Sequence, residues 1–211
     1  MPPSARTRQT TTLRKRVLTV LEQHGLARTA ATQARGAGGV LRDKMRRTAL
    51  EWATFIDDQT GEQPGAHVAG EHERVRLDSL FRQCQPDRRY LAVHTHPQNL
   101  PFSLQDGAVL LEHPELSVIA AVGRDGSWHL LSVAPGQPIP SIKDMRSRMA
   151  AQLEVLNDNY TVPPYPGALT ARRELWHTAW QRAAPALGLR YDRIRSDEES
   201  DAQGEPAPSI R

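Results

Sequence analysis

The sequence predicts a mixed α/β protein, and three observations carry that expectation. "RRYLAVHTH", residues 88–96, is a short apolar run of the kind that becomes a buried strand. "ELSVIAAVGRDGSWHLLSVAP", residues 115–135, sets two β-rich runs around the turn "GRDGS", which is hairpin patterning. "LRKRVLTVLEQHGLA", residues 13–27, spaces Leu13, Val17, Val20 and Leu21 along one face of an amphipathic helix.

In chain order, a helix is expected over residues 11–34, ended by "RGAGG" at 35–39. "VLRDKMRRTALEWATFID" runs through a second helical piece into a strand over 50–57, and "DDQTGEQPGA" is turn chemistry. A short return strand near 65–70 and a helix near 75–84 come next. After the strand at 88–96, "PQNLP" turns the chain and "SLQDGAVLLEH" starts a helix with Ser103 as N-cap. The hairpin follows, then a polar helix over 141–156, a proline-rich loop "TVPPYPG", and a last helix over 168–187. That last helix puts Leu175, Trp176, Ala179, Trp180 and Ala183 on one face. The ends, "MPPSARTRQTTT" and residues 196–211, have no apolar periodicity and read as disordered. The expected organisation is a basic helical N-terminal extension (1–47), a core (48–134), C-terminal helices packed on it (135–195) and a tail (196–211).

Composition narrows the function classes. The chain has 211 residues, a mean hydropathy of -0.57 and no apolar run long enough for a membrane span. The N-terminus lacks the apolar core of a secretory signal, so a cytoplasmic protein is expected. A single cysteine, Cys84, excludes an internal disulfide and a cysteine-based zinc site within one chain. Charge is uneven. Residues 1–47 hold eleven basic residues against two acidic ones, a balance of +9; the whole chain carries +3, so the rest carries -6. Such a segment is either a solvated Arg-rich helix pair or a weak contact for nucleic acid.

The stretch richest in chemistry is "HTHPQNLPFSLQD", residues 94–106. Residues two apart on a strand share a face, so His94 and His96 project together and Thr95 projects away. Two imidazoles on one face are natural ligands for a divalent ion, zinc above all. Asp106, in the first turn of the next helix, can supply a third ligand and leave an open position for water. Ser103, three residues earlier, can offer a hydroxyl to an oxyanion. The same residues also have a plain structural meaning, because "SLQD" is a helix-capping sequence and "HTHP" an ordinary strand end.

These residues resemble the signature of the JAMM/MPN+ (JAB) zinc metalloproteases, H-x-H-P, a loop, then S-x-x-D. "LEWATFIDDQTG" resembles the earlier strand that carries that family's glutamate. "LLEHPELSVIAAVGRDGSWHLL" is similar to the helix and hairpin that follow the signature in bacterial and phage-borne members. The likeness covers residues 48–134, and the loop between His96 and Ser103 is one residue shorter than in many members.

The resemblance implies a JAMM/cytidine-deaminase-like fold, a curved mixed sheet flanked by helices, here with helical N- and C-terminal extensions. It implies Zn2+ held by His94, His96 and Asp106, with Glu51 as general acid/base and Ser103 stabilising the oxyanion. Glu62, Glu71 and Glu73 also precede the histidines, and Glu51 is preferred because a strand start holds a base rigidly. The implied activity is hydrolysis of a peptide or isopeptide bond in a protein substrate, such as one bearing a ubiquitin-like modifier or a bacterial or phage precursor. The alternatives are a nucleic-acid-associated protein, related to a DNA-repair-associated branch, and a non-catalytic MPN scaffold. Of the other histidines, His67, His72, His113 and His129 are expected at a cleft rim, a helix end or in packing.

Overall fold

A computed structural model describes residues 5–72, 74–158 and 167–196. In chain order its elements are α1 (Ala5–Gln23), α2 (Arg28–Thr48), β1 (Trp52–Asp57), β2 (Val68–Ala69), α3 (Asp78–Phe81), β3 (Tyr90–His96), α4 (Leu104–Glu112), β4 (Leu116–Gly123), β5 (Trp128–Val133), α5 (Ile142–Asp158), α6 (Gly167–Ala186) and β6 (Leu189–Ile194). The fold is mixed α/β, as the sequence predicts.

The strands form one sheet in the order β2-β1-β3-β4-β5-β6. Only β3 and β4 run parallel, joined across α4; the other neighbours are antiparallel. The central strands β3 and β4 read as nearly continuous apolar runs because helices cover both faces. On one face Ile56, Leu91, Val93, Val118, Val122, Trp128 and Leu130 pack against Val17 and Leu21 of α1 and Ala30, Ala34 and Leu41 of α2. On the other, Phe55, Tyr90, Ala92, Ile119 and Leu131 pack against Leu80 of α3, Ala108 and Leu110 of α4, Met145 and Met149 of α5 and Trp180 of α6.

Four local expectations need correction. The first helix ends at Gln23, not 34, because Gly25 takes a φ of +94°, which a side chain disfavours. "RGAGG" does not break a helix; it lies inside α2. Its small residues bring the helix onto the sheet: a Cβ on Gly38 would lie 2.3 Å from Cη2 of Trp128. Packing here outweighs the roughly 1 kcal/mol helical cost of a glycine. At the N-terminus, Ala5–Thr12 belong to α1 rather than to a disordered end, while residues 1–4 lie outside the described residues. Finally, residues 189–194 are a strand, not part of C-terminal helices; β6 pairs along the whole of β5. The proline-rich loop through residue 166 and the tail from 197 also lie outside the described residues. Among the described residues no helix is long and apolar enough to cross a membrane.

The N-terminal helices are tied to the sheet by a buried polar chain. His24, in the α1–α2 turn, joins Ser132 Oγ of β5 through Nδ1 (2.7 Å) and Asp192 of β6 through Nε2 (2.9 Å). Burial lowers the His24 pKa, so the neutral ring donates its Nε2–H to Asp192 and accepts the Ser132 hydroxyl.

Candidate metal centre

Alternation along β3 decides which side the histidines face. Tyr90 and Ala92 belong to the core under α4–α6, and Leu91 and Val93 to the core under α1–α2. His94 and His96 continue the first series, and Thr95 the second. The strand ends at His96, where the chain turns through Asn99, one of two non-glycine residues with positive φ among those described. The turn brings the Leu100 carbonyl back onto His96, whose Nδ1 donates to it at 2.7 Å. That bond leaves the Nε2 of a neutral ring as a bare lone pair.

The two rings converge. His94 Nε2 and His96 Nε2 lie 2.8 Å apart. Asp106 Oδ1 is 3.5 Å from the first and Oδ2 3.7 Å from the second. One ligand atom from each of His94, His96 and Asp106 lies within 4.8 Å of the others. Burial pushes the His94 pKa down to about 4, so it is a neutral ligand at neutral pH. Burial pushes Asp106 up, but the two histidines and the Ser103 hydrogen bonds outweigh it and keep the carboxyl below its ordinary value. Two imidazoles and a carboxylate around one point are a donor set that fits zinc.

Asp106 is placed by the start of α4. Its Oδ2 accepts from the Ser103 backbone N–H at 2.7 Å and from the Ser103 hydroxyl at 2.8 Å, while its own N–H donates to Ser103 Oγ at 3.2 Å. This is a capping box, with aspartate in the glutamate position. It leaves Oδ1 toward His94. In this geometry the Ser103 proton is directed at Asp106.

The loop between is pinned from α6. The Trp180 Nε1–H donates to the Phe102 carbonyl at 2.8 Å, and Phe102 is fully buried beside His94, with ring centroids 6.1 Å apart. A Cβ on Gly107 would lie 2.6 Å from Met145 Sδ and 2.8 Å from Trp180 Cη2, so α4 also needs a glycine to seat against α5 and α6.

Glu51 precedes β1 by one residue. It lies two residues before Ala53, which pairs with His94, so Glu51 shares the face of the metal ligands. It is 7% exposed and lines the same cleft of about 650 Å3 as His94, His96, Ser103 and Asp106. Its backbone is paired on the β2 side, to Glu71 and Gly70. Of the other glutamates, Glu62 pairs with Arg88 at 2.8 Å, Glu71 is exposed, and Glu73 lies outside the described residues.

The other histidines are spread out. His67 meets Lys44 Nζ at 3.0 Å. Exposed His72 bonds the Ala49 carbonyl and lines the cleft. His113 is the C-cap of α4 and stacks on Phe81 at 3.7 Å. His129 is buried and bonds the Tyr191 hydroxyl at 2.8 Å, which also meets His177.

Sequence reasoning missed the supports: Leu100, Phe102 and Trp180. Asn99 carried a signal, since asparagine tolerates left-handed turns. The Trp180 contact spans 78 residues of sequence and has no local signature. The fold and site define the chain as a mixed α/β protein with a His–His–Asp cluster that could hold a metal ion. No protein-family model, no curated protein and no solved structure matches the chain.

Proposed function

We propose that this protein is a JAMM-type zinc hydrolase that cleaves a peptide or isopeptide bond in a protein substrate. The single observation carrying the reading is the meeting of His94, His96 and Asp106 ligand atoms, on the same face as Glu51, at one cleft. His94, His96 and Asp106 would hold the ion. When bound, zinc polarises a carbonyl and lowers the pKa of a coordinated water to about 7. Glu51 takes a proton from the attacking water and passes it to the leaving nitrogen. The water oxygen bonds to the carbonyl carbon and the C–N bond breaks, yielding a carboxylic acid and an amine. Ser103 holds Asp106 in place; a turn of its hydroxyl toward the cleft would also present it to the oxyanion. The His96 ring is held square by the Leu100 carbonyl.

Metal analysis of the purified full chain tests this. Near-stoichiometric zinc is expected in the wild type and is lost in His94→Ala and Asp106→Ala. Glu51→Gln keeps zinc and abolishes hydrolysis of protein or peptide substrates. A wild-type protein that takes up no divalent ion sinks the proposal. One that binds zinc without hydrolysing any substrate is instead the non-catalytic scaffold.

A second reading concerns partners and has its own observation. Arg14, Lys15, Arg16, Arg28, Arg46 and Arg47 are exposed on α1 and α2, the layer on the sheet face away from the cleft. A duplex nucleic acid bound there would show affinity falling steeply with salt, and Arg14→Glu with Arg16→Glu would flatten that slope. Binding unaffected by both salt and charge reversal removes this reading.

A further inference from the structure

One side of the cleft is apolar where the chemistry does not require it. Val75, Leu77, Phe81 and Val109 line the same space as Glu51, His94, His96 and Asp106. Each is only partly buried; their inner sides pack on the core and part of each remains accessible. Helical spacing continues them outward from the metal ligands. Val109 and His113 follow Asp106 by one and two turns on the same side of α4. Across from them, α3 presents Phe81, stacked on His113 at 3.7 Å, with Leu77 one turn earlier. The result is an apolar trough along this side of the cleft, with Leu77 and Phe81 from the α3 side and Val109 from α4, in the same space as Glu51 and Asp106. Charges stand at its edges, Arg74 and Asp78 near α3 and Glu112 on α4.

We propose that this trough is a side-chain pocket that selects a large aliphatic or aromatic residue flanking the bond to be cleaved. The inference rests on the hydrolase reading and narrows its substrate class. A substrate with glycine there would leave four apolar side chains wet beside the reacting bond. A leucine or phenylalanine side chain would cover them, and concave apolar surface beside a few convergent polar groups is how small sites choose ligands. The edge charges suit the polar main chain running past the pocket's mouth and leave its floor dry.

The test uses the zinc-loaded full chain and quenched fluorogenic peptides varied on both sides of a central bond. Leucine and phenylalanine peptides are expected to be cleaved with kcat/KM at least tenfold above their glycine counterparts, the scale of discrimination an apolar pocket reaches. Val109→Trp fills the trough and is expected to slow the leucine and phenylalanine peptides more than tenfold while zinc content stays at the wild-type level. Equal cleavage, or a preference for glycine, overturns the pocket and leaves the hydrolase standing. If no peptide is cleaved although zinc is bound, the peptidase form of the hydrolase reading falls and the isopeptidase form stands. Equilibrium binding of N-acetyl-leucinamide against N-acetyl-glycinamide, to wild type and Val109→Trp, then decides the pocket by itself. Equal affinities overturn it, and leucinamide binding lost in Val109→Trp upholds it.

Discussion

Ser103 and Asp106 satisfy each other at the start of α4: the serine hydroxyl and backbone N–H both donate to Asp106 Oδ2, and the Asp106 N–H donates back to Ser103 Oγ. The residue that completes the cap is also the residue that completes the His–His–Asp cluster. Helix formation and ligand placement therefore share the same bonds.

Ser103→Ala should separate these roles. Loss of the cap is expected to cost about 1 kcal/mol of stability. Loss of the bond to a ligating carboxylate should weaken zinc binding by roughly 10- to 100-fold. Competition with a chromogenic chelator measures the second and urea unfolding of the metal-free protein the first. Ser103→Thr should restore both. Unchanged zinc affinity in Ser103→Ala would show that Asp106 is held by other means.

Trp180→Phe removes the Nε1–H that holds the Phe102 carbonyl while keeping an aromatic ring in the core. The loop between the histidines and Asp106 then loses a buried bond worth about 1 kcal/mol or more. The expected result is weaker zinc binding with little loss of secondary structure, read by chelator competition and far-ultraviolet circular dichroism. Retained zinc affinity would show that the loop needs no support from α6.

Gly38→Ala tests the contact between α2 and the sheet. Alanine is the better helix former, yet its methyl would meet the Trp128 ring at 2.3 Å. Overpacking typically costs about 1–3 kcal/mol, which exceeds the helical gain. Thermal unfolding should show a lowered midpoint, and Gly36→Ala, at a position with nothing within 4 Å, should show none of that loss.

Buried His24 and His129 and half-buried His177 should make the protein sensitive to mild acid. Burial lowers the pKa of His24 and His129 and pushes that of His177 down to about 4. Each folded value lies below the unfolded one, near 6.5, so the unfolded chain binds more protons below that pH. Stability is full above about 6.5 and falls as pH drops below it, for His177 down to about 4. Urea midpoints of metal-free protein should be flat from pH 8 to 7 and decline below 6.5. His177→Asn should reduce the slope; an unchanged slope would show that His177 titrates alike in both states.

Some of this was legible in the residues. Tyr90–His96 had to be buried, because nothing in the run but its last three residues is polar, and alternation put His94 and His96 on one side. The Ser103 cap, the hairpin and the helices at α5 and α6 followed from local patterns of the same kind. Local pattern was insufficient wherever a distant partner outvoted it. Gly38 sits mid-helix because Trp128 occupies the space a side chain would need. β6, with arginines and an aspartate at four or fewer residues' spacing, reads poorly as a strand, and it is one because β5 offers a free edge.

The sequence by itself determined the ligand types, the spacing of the two histidines along one strand and the cap, Ser103 to Asp106, that carries the carboxylate. It did not determine that these would meet. Ser141 and Asp144 make two of the same bonds at the start of α5, hydroxyl to carboxylate and Asp144 N–H to hydroxyl, and neither belongs to the His–His–Asp cluster. The difference is tertiary: the turn at Asn99 and the α6 bond to Phe102 bring one cap, and not the other, onto the end of β3. Local hydrogen bonds act over a few residues and can be read in order. Convergence on a point depends on packing between elements far apart in the chain, and that is written only in the folded molecule.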